Sequence, residues 1–589
     1  MPTHDPTRSG PLRLLKAYGL DGLCLLALLG ALAWMMGPGL LSPADWIVGH
    51  QSHPGLQGDM IFQWNLWRQM AEGHLPRLLH SPYLAFPGGQ DFALRVAFSL
   101  NLAIDLVFLR VFGLWRGHGL GLAFTLWLNG AAMYALARWR GAGRGFALGA
   151  ALVFAFGPYA GLKLSQGFTH KMVIFPIPLF LLALLAALRE PRPRAWALLA
   201  AAAGLVTWAY PPYLGFCLVL TAPMLLGELA RRRGWRPWVA PVAALAGVAA
   251  LVGTGAWLVG HHVVAPAAMD LGIGHFFTEG GYLEPANLVR WFPYLDVPHG
   301  APQEFVRGLP LGLPLLAGAL TLAAALRPGR ERGLALGALA LLVLMAGPWP
   351  LHDGELVALF GRVVPLPLRY LSALPLGSVF RMPIRSMPVV QAGLLLAAAG
   401  VLVRLRVRGL SAGQRGLLQA AVGLAMVLEG WFVFPEYHRL VVQEVATPSF
   451  CQEPGVLGPG ALYHLPLTTA GPHVQGYISV LCDRPMVNAD LFGEPSTVFP
   501  RAAASQEEKL AFLTKIVREG TDTVVVHRGE ASSVEDLRLL RAAESWLVEA
   551  CGEPLLDERW NLAAYRIPRA FKEALEPGGP VNPPEPPAP

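Results

Sequence analysis

The chain has 589 residues, 54% of them hydrophobic and only 14% charged, with a formal net charge of +7. Soluble globular proteins carry roughly 25% charged residues, and several apolar runs here reach the ~18–20 residues that cross a hydrocarbon core. The composition therefore excludes an ordinary soluble domain and indicates a polytopic membrane protein. The basic balance does not point to nucleic acid, because the arginines stand between apolar runs, where they act as topology signals.

Arg8, Arg13 and Lys16 precede the first apolar run, Tyr18–Pro38, which predicts a cytoplasmic N-terminus over 1–17. That run is long enough to span and has no A-x-A cleavage site, so it reads as a span rather than a removed signal. The later basic clusters are Arg138/Arg140/Arg144, Arg189/Arg192/Arg194, Arg231/Arg232/Arg233/Arg236, Arg327/Arg330/Arg332 and Arg404/Arg406/Arg408/Arg415. If all are cytoplasmic, two spans must separate each neighbouring pair. Spans near 18–38, 119–137, 145–161, 172–188, 195–210, 212–229, 238–258, 310–326, 333–348, 389–403 and 414–434 meet that condition, about eleven in all within 18–434. "YPPY" at Tyr210–Tyr213 becomes a tight outer hairpin, because its prolines cannot continue a helix.

The first outer loop, 39–118, opens with "GLQGDMIFQWNLWRQMAEGHLP", which places Asp59 ahead of Trp64 and Trp67. A carboxylate at the membrane surface suits a base that takes a proton from an attacking hydroxyl, or a ligand that holds a metal on a phosphate. The tryptophans read as an interfacial belt, as faces flanking a sugar ring, or as packing for a surface helix. "SPYLAFPGGQDFAL" is turn-forming and ends at Asp91, either a turn-capping residue or a second acid facing the same headgroup. Residues 96–113 are apolar but carry Ser99, Asn101, Asp105 and Arg110, which predicts a helix lying at the outer surface rather than a span.

Further along, "GFTHKM" puts His170 and Lys171 at the outer mouth of two spans, with Lys163 a short loop earlier. They suit a phosphate, and equally a snorkelling role. The outer loop 259–309 holds His275, Glu279, Glu284 and Arg290, with Gly280–Gly281 as a hinge for a lid or as part of a plain connector. In the outer loop 349–388, "GSVFRMPIRSMP" sets Arg381 and Arg385 against the positive-inside trend. Guanidinium groups there fit a lipid phosphate bidentately, or a salt bridge to Asp353 or Glu355.

Residues 435–576 read as an extracytoplasmic α/β domain. "GALYHLPL" and "TDTVVVHRG" are strands; "SQEEKLAFLTKIVREG" and "SVEDLRLLRAAESWLVEACG" are amphipathic helices. A proline-rich tail follows over 577–589. Of the five cysteines, Cys24 and Cys217 lie in apolar runs, and a Cys451–Cys482 bridge is one pairing open to the other three. His50/His53 and His261/His262 make no decisive metal set, so metal ligands stay unassigned and a divalent ion is the only cofactor candidate. Walker, Rossmann and nucleophile-elbow patterns are absent from the sequence.

In motif order the chain resembles the GT-C superfamily of membrane glycosyltransferases, which includes protein O-mannosyltransferases and aminoarabinose transferases, and among these its poorly characterised bacterial members. The matching elements are Gly58–Asp59, Trp64/Trp67, "PYLAFPGGQD" from Pro82 to Asp91, Gly167–His170, Phe380–Arg385 and a soluble region after the last span. The resemblance implies a helical bundle in a bacterial cytoplasmic membrane with an outward active site. It implies a polyprenyl-phosphate-linked sugar donor, an envelope lipid, glycan or protein as acceptor, and Asp59 as the acid–base residue. Many such enzymes carry a second acid in the outer loop after the third span, where this chain has "KLSQGFTHK". Asp91 or Glu279 replaces it, or the metal arrangement differs, or activity is lost. A non-catalytic flippase or assembly partner for envelope polysaccharide is the alternative function.

Overall fold

The computed structural model describes residues 11–42, 45–48, 54–74, 80–83, 90–91, 100–165, 169–231, 315–326, 329–347, 351–352, 355–356, 358–359, 362–363, 365–371, 383–405, 410–433, 442–452, 456–465, 472–487, 504–528 and 534–575. The predicted span 238–258, the whole loop 259–309 with Glu279, Arg381 and the tail 577–589 lie outside the described residues.

The first helix, α1 (Pro11–Leu41), leads through a short strand β1 (Trp46–Val48) into α2 (Pro54–Ala71). A two-residue ladder, β2 (His80–Ser81) with β3 (Gln90–Asp91), closes the turn-rich stretch as a hairpin, with His80 opposite Asp91. The segment read as a surface helix is α3 (Leu100–Phe112), 13 residues long. At 1.5 Å per residue its described part reaches about 20 Å. It joins α4 (Leu114–Arg140) through Gly113, whose φ of +79° favours glycine. The close approach of these two helices depends on Gly117 and Gly121: a Cβ at Gly121 would stand 2.4 Å from an Asp105 carboxylate oxygen. In α3 the polar Asn101 and Asp105 turn inward and are buried, whereas Val107 and Val111 are exposed. Arg110 is exposed on the same side as Val107 and Val111, so the helix buries one polar pair and exposes a mixed face.

Next come α5 (Arg144–Phe156), α6 (Pro158–Ser165), a 3-10 turn at Thr169–Met172, α7 (Pro176–Arg189), α8 (Pro193–Ala209) and α9 (Pro211–Arg231). The run predicted as one span over 145–161 is thus two helices. Pro158 has no N–H for the ladder and starts a new helix instead of extending the old one. The "YPPY" hairpin forms as expected, with α8 ending at Ala209 and α9 opening on Pro211. Beyond the undescribed stretch stand α10 (Leu315–Ala325), α11 (Arg330–Met345), the short ladders β4 (Leu351–His352) with β5 (Glu355–Leu356) and β6 (Ala358–Leu359) with β7 (Arg362–Val363), and α12 (Pro367–Leu371). A second 3-10 turn, Pro383–Ser386, runs into α13 (Met387–Arg404), followed by α14 (Ala412–Val433).

Helices therefore occupy ten of the eleven predicted runs. Among the described residues, four are long and apolar enough to cross a membrane: Gly19–Gly37, Leu114–Arg140, Pro212–Arg231 and Met387–Arg404. Lipid gives apolar helices no hydrophobic reason to associate, so close backbone packing must hold them. Gly145 and Gly149 of α5 lie against Ala420 and Gly423 of α14, and Gly333 and Gly337 of α11 against Met224 and Leu220 of α9.

The arginine clusters meet at one end of this bundle. Arg138 and Arg144 bond Asp21 of α1, at 3.2 and 3.0 Å. Buried Glu331 joins Arg140 to Arg404, and buried Glu228 joins Arg330 to Arg231. Arg330 also donates to the Leu188 carbonyl, beside Arg189. Chain segments 138–144, 188–189, 228–231, 330–331 and 404 are thus neighbours, as the even number of predicted spans between them requires.

The C-terminal region begins with β8 (Val442–Glu444), which pairs antiparallel with β1 of the first loop, Trp46 opposite Glu444. It continues with α15 (Ser449–Gln452), β9 (Ala461–Leu465), α16 (Pro472–Cys482), α17 (Gln506–Arg518), β10 (Thr521–His527), α18 (Val534–Cys551), β11 (Leu555–Asp557), β12 (Leu562–Arg566) and α19 (Arg569–Leu575). The four central strands form one mixed sheet in the order β11-β12-β10-β9, with β9 and β10 parallel. Local signals set the helix ends. Ser505 and Glu508 form a capping box at the start of α17, and Gly552 with φ +87° follows α18. Cys451 and Cys482 are bridged, their Cα atoms 5.0 Å apart.

Candidate active site

Among the described residues, three of the segments singled out in the sequence, α2 and the turns Thr169–Met172 and Pro383–Ser386, lie at the end of the bundle away from the arginine clusters. Helix α9 runs from Tyr213 at this end to Arg231 at the other, and α13 runs from Met387, next to Arg385, to Arg404. Asp105, Asn129, Tyr210 and Tyr213 fasten α2, the Thr169–Met172 turn and the Pro383–Ser386 turn to this end.

Helix α2 carries Asp59 in its second turn. The structure describes the backbone at Asp59, Asp91 and His170 and not their side chains. One turn beyond Asp59, Gln63 is completely buried and donates from Nε2 to Asp105 Oδ2 at 2.8 Å; Asn101 donates to the same oxygen at 2.9 Å. A carboxylate taken out of water needs such donors, so Asp105 fastens α2 to α3. Arg110 of α3 adds a bond to the Met70 carbonyl at 3.1 Å.

The Thr169–Met172 turn is held from below by Asn129 of α4. Its amide donates to the Met172 carbonyl at 2.7 Å and accepts from the backbone N–H groups of Ile174 and Phe175, at 3.2 and 2.7 Å. Lys171 and Lys163 are 3% and 1% exposed. Burial at this level disfavours ammonium groups that merely snorkel to water. The Lys171 carbonyl accepts from the Tyr213 hydroxyl at 3.0 Å, and that hydroxyl lies 3.3 Å from the Tyr159 hydroxyl.

The same aromatic pair reaches Arg385. Tyr210 and Tyr213 meet edge to face with ring centroids 5.0 Å apart. The Arg385 guanidinium sits 5.6 Å from the Tyr210 ring centre and donates to its hydroxyl. The "YPPY" hairpin, read from the sequence only as a turn, is thus the link between the Lys171 and Arg385 segments.

The tryptophans behave differently from a sugar platform. Trp64 is fully buried. Its ring meets Tyr83 at 5.5 Å, the Arg68 guanidinium lies 5.6 Å from its centre, and its indole N–H donates to Asp483 at 2.9 Å. With Tyr83 and Arg68 against its ring and Asp483 on its donor, Trp64 packs α2 against the C-terminal region. Trp67 is partly buried against the same cluster. Leu56, Met60, Ile61 and Trp64 of α2 share one core with Phe450, Tyr477, Ile478, Leu481 and Met486. Beside it, Glu72 accepts from the Tyr83 hydroxyl and from Arg68. Burial pushes the Glu72 carboxyl up, but these two donors outweigh it and hold it below its ordinary value.

Asp105, Asn129, Tyr210 and Tyr213 are the residues the sequence reading passed over as site builders. The spacing of Asn101 and Asp105 was a signal, one helical turn apart in an apolar run; Asn129 gave none. Among the described residues no three His, Cys, Asp or Glu side chains come together to hold a metal ion. The candidate divalent ion therefore has no donor set there, and no step is assigned to it.

No family model and no curated protein matches the chain. Solved structures similar in chain path include the arabinofuranosyltransferase AftD from Mycobacteria (18% identity, TM-score 0.46), of which the match covers 87% of this chain and 37% of that one. ArnT from Cupriavidus metallidurans bound to undecaprenyl phosphate is 14% identical, with 93% and 98% covered and a TM-score of 0.47. The oligosaccharyltransferase AglB from Archaeoglobus fulgidus, in complex with an inhibitory peptide and a dolichol-phosphate, is 13% identical, with 87% and 70% covered and a TM-score of 0.43. The chain thus spans little more than a third of the mycobacterial protein and nearly all of ArnT. At such identities and TM-scores the likeness assigns no family, no residue and no reaction.

Proposed function

We propose that the protein is a membrane glycosyltransferase that moves a sugar from a polyprenyl-phosphate-linked donor to an envelope lipid, glycan or protein. The observation that carries this reading is the convergence of α2, the Thr169–Met172 turn and the Pro383–Ser386 turn at one end of the bundle, through Asp105, Asn129, Tyr210 and Tyr213. These are the segments whose order in the sequence resembles the GT-C pattern. Arginines favour the cytoplasmic side, so the end bearing Asp21, Glu228 and Glu331 with their arginines is assigned to the cytoplasm, together with the N-terminus. The opposite end and the C-terminal region then face outward.

In this reading the acceptor hydroxyl attacks the anomeric carbon and passes its proton to the Asp59 carboxylate. The bond between that carbon and the phosphate oxygen breaks, and polyprenyl phosphate leaves with the electron pair. His170, Lys171, Arg381 and Arg385 stabilise the phosphate charge, with Asp91 and Glu279 as the candidate second acids and Trp67 at the sugar. Arg385 fits this role because Tyr210 holds its guanidinium by a hydroxyl and a ring face, leaving its planar fork oriented rather than free to rotate.

The test is a glycolipid and glycan profile of cells with the protein, without it, and with Asp59→Asn. A species lost on deletion and not restored by Asp59→Asn supports the reading. A profile identical in all three refutes it. Restoration by Asp59→Asn but not by Arg385→Ala favours the non-catalytic lipid handler.

A further inference from the structure

One residue of the C-terminal region grips α2 at two points. Asp483 Oδ1 accepts from the Trp64 indole N–H at 2.9 Å and from Arg68 Nη1 at 3.1 Å, and the Asp483 backbone carbonyl accepts from the same Arg68 nitrogen at 2.7 Å. Close by, the Met486 N–H donates to the Tyr83 carbonyl at 2.8 Å. Asp483 has φ +50°, the left-handed region that Asp and Asn tolerate and most side chains do not. That backbone turn aims both its carbonyl and its carboxylate back at α2.

Asp483 is itself fixed by what precedes it. It directly follows Cys482, the last residue of α16, which is bridged to Cys451 of α15. Three residues before Cys482, the Ser479 hydroxyl meets His464 Nε2 at 2.9 Å, and His464 Nδ1 meets His527 Nε2 at 2.9 Å. All three side chains are buried, 2% exposed or less. Burial, with His527 beside it, holds the His464 pKa well below the ordinary histidine range. α16 is thus tied to the sheet by Ser479 and to α15 by the disulfide, and its end presents Asp483 at a defined place.

We propose that Asp483 is a positioning residue for α2, and that the Cys451–Cys482 bridge keeps it in place, so that the outward site depends on an oxidised C-terminal region. The catalytic part of this inference rests on the glycosyltransferase reading; the mechanical part does not. The Asp483 side chain is 57% exposed, and ion pairs this open contribute little to global stability. What the contact controls is the placement of the helix that carries Asp59. A displacement of about 1 Å at a reacting group lowers a rate on the order of a hundredfold.

The experiment uses the full chain in lipid nanodiscs. Amide exchange over 54–71 is compared in the parent, Asp483→Ala, Asp483→Asn, Arg68→Ala and the Cys451→Ser/Cys482→Ser pair. Asp483→Asn keeps the left-handed turn and an acceptor for Trp64. Arg68→Ala releases the same contact from the α2 side, without touching the C-terminal region, should Asp483→Ala disturb its folding. The expected result is faster exchange in α2, on the order of tenfold, for Asp483→Ala, Arg68→Ala and the cysteine pair, with partial rescue by Asp483→Asn and unchanged protection of β10 and β12. Transfer should fall about 10–100-fold in kcat with little change in donor KM. Unchanged exchange over 54–71 in both Asp483→Ala and Arg68→Ala overturns the proposal. So does faster exchange with parental kcat. A parent protein that transfers no sugar refutes the proposed function alone, since the exchange data still decide the mechanical contact.

Discussion

Replacing Gly337 with alanine tests the packing between α11 and α9. A Cβ at this position would stand 1.8 Å from the Leu220 carbonyl oxygen, 2.5 Å from its carbon and 2.9 Å from its Cα. The obstacle is backbone, so no rotamer change relieves it. Helices α11 and α9 must part by about 1.2 Å before the shortest contact reaches 3.0 Å. Moving them disturbs the neighbouring contact of Gly333 with the Met224 backbone, and that of Gly393 with the Leu220 side chain. Overpacking of this kind costs about 1–3 kcal/mol, and a clash of backbone with backbone belongs at the upper end. Alanine returns about 1 kcal/mol of helix propensity. The expected net loss is about 1–2 kcal/mol, a factor of roughly 5–30 in the folded-to-unfolded ratio. Gly227, also in α9, has nothing within 4 Å of its Cβ position, and Gly227→Ala should gain roughly 0.5–1 kcal/mol. The assay is the denaturation midpoint of the detergent-solubilised protein. The expected order is Gly337→Ala below the parent and Gly227→Ala at or above it. Equal midpoints for Gly337→Ala and the parent would refute the claim that these helices touch through their backbones.

Two further outcomes follow from single residues. Asn129→Ala strips partners from the Met172 carbonyl and from the Ile174 and Phe175 N–H groups. It should cost about 2–4 kcal/mol in the same denaturation assay; a midpoint equal to the parent's would contradict the bonding. Asp557 supplies the pH dependence: burial pushes its carboxyl up, but the backbone N–H groups of Ser449 and Trp560, at 2.6 and 2.9 Å, outweigh that and hold it below its ordinary value. A depressed carboxyl stabilises the folded form above the ordinary carboxylate range, roughly pH 4, and that stability is lost as pH falls through the folded value. Asp557→Asn should therefore flatten the acid limb of a stability curve followed by amide exchange in β11 and β12; an acid limb as steep as the parent's would contradict the assignment.

Much of the bundle was legible because a membrane helix needs little more than a long apolar run between charge signals. The arginine clusters foretold that residues 138–144, 188–189, 228–231, 330–331 and 404 share one end, and Glu331 and Glu228 are the acids that join them. The break at Pro158 was written in the sequence but outweighed by the hydropathy around it. The orientation of α3 was not legible: amphipathic spacing tells which residues share a face, and not whether that face meets water or another buried carboxylate's partners. Trp64 was ambiguous for a related reason. An interfacial tryptophan, a sugar platform and a packing residue have the same local sequence, and the contact that decides among them lies 419 positions away at Asp483. The Cys451–Cys482 pairing was open to the sequence as one choice among three; only the fold that sets α15 beside α16 selects it.

The central claim is that Asp59 takes the acceptor proton at the outward end of the bundle. The most direct measurement supplies membranes containing the protein with a panel of labelled polyprenyl-phosphate sugars and follows release of polyprenyl phosphate together with labelled acceptor. The account predicts release for at least one donor by the parent, none by Asp59→Asn, and partial release by Asp59→Glu, with all three proteins equal in amount and denaturation midpoint. Release by Asp59→Asn at the parental rate would contradict it.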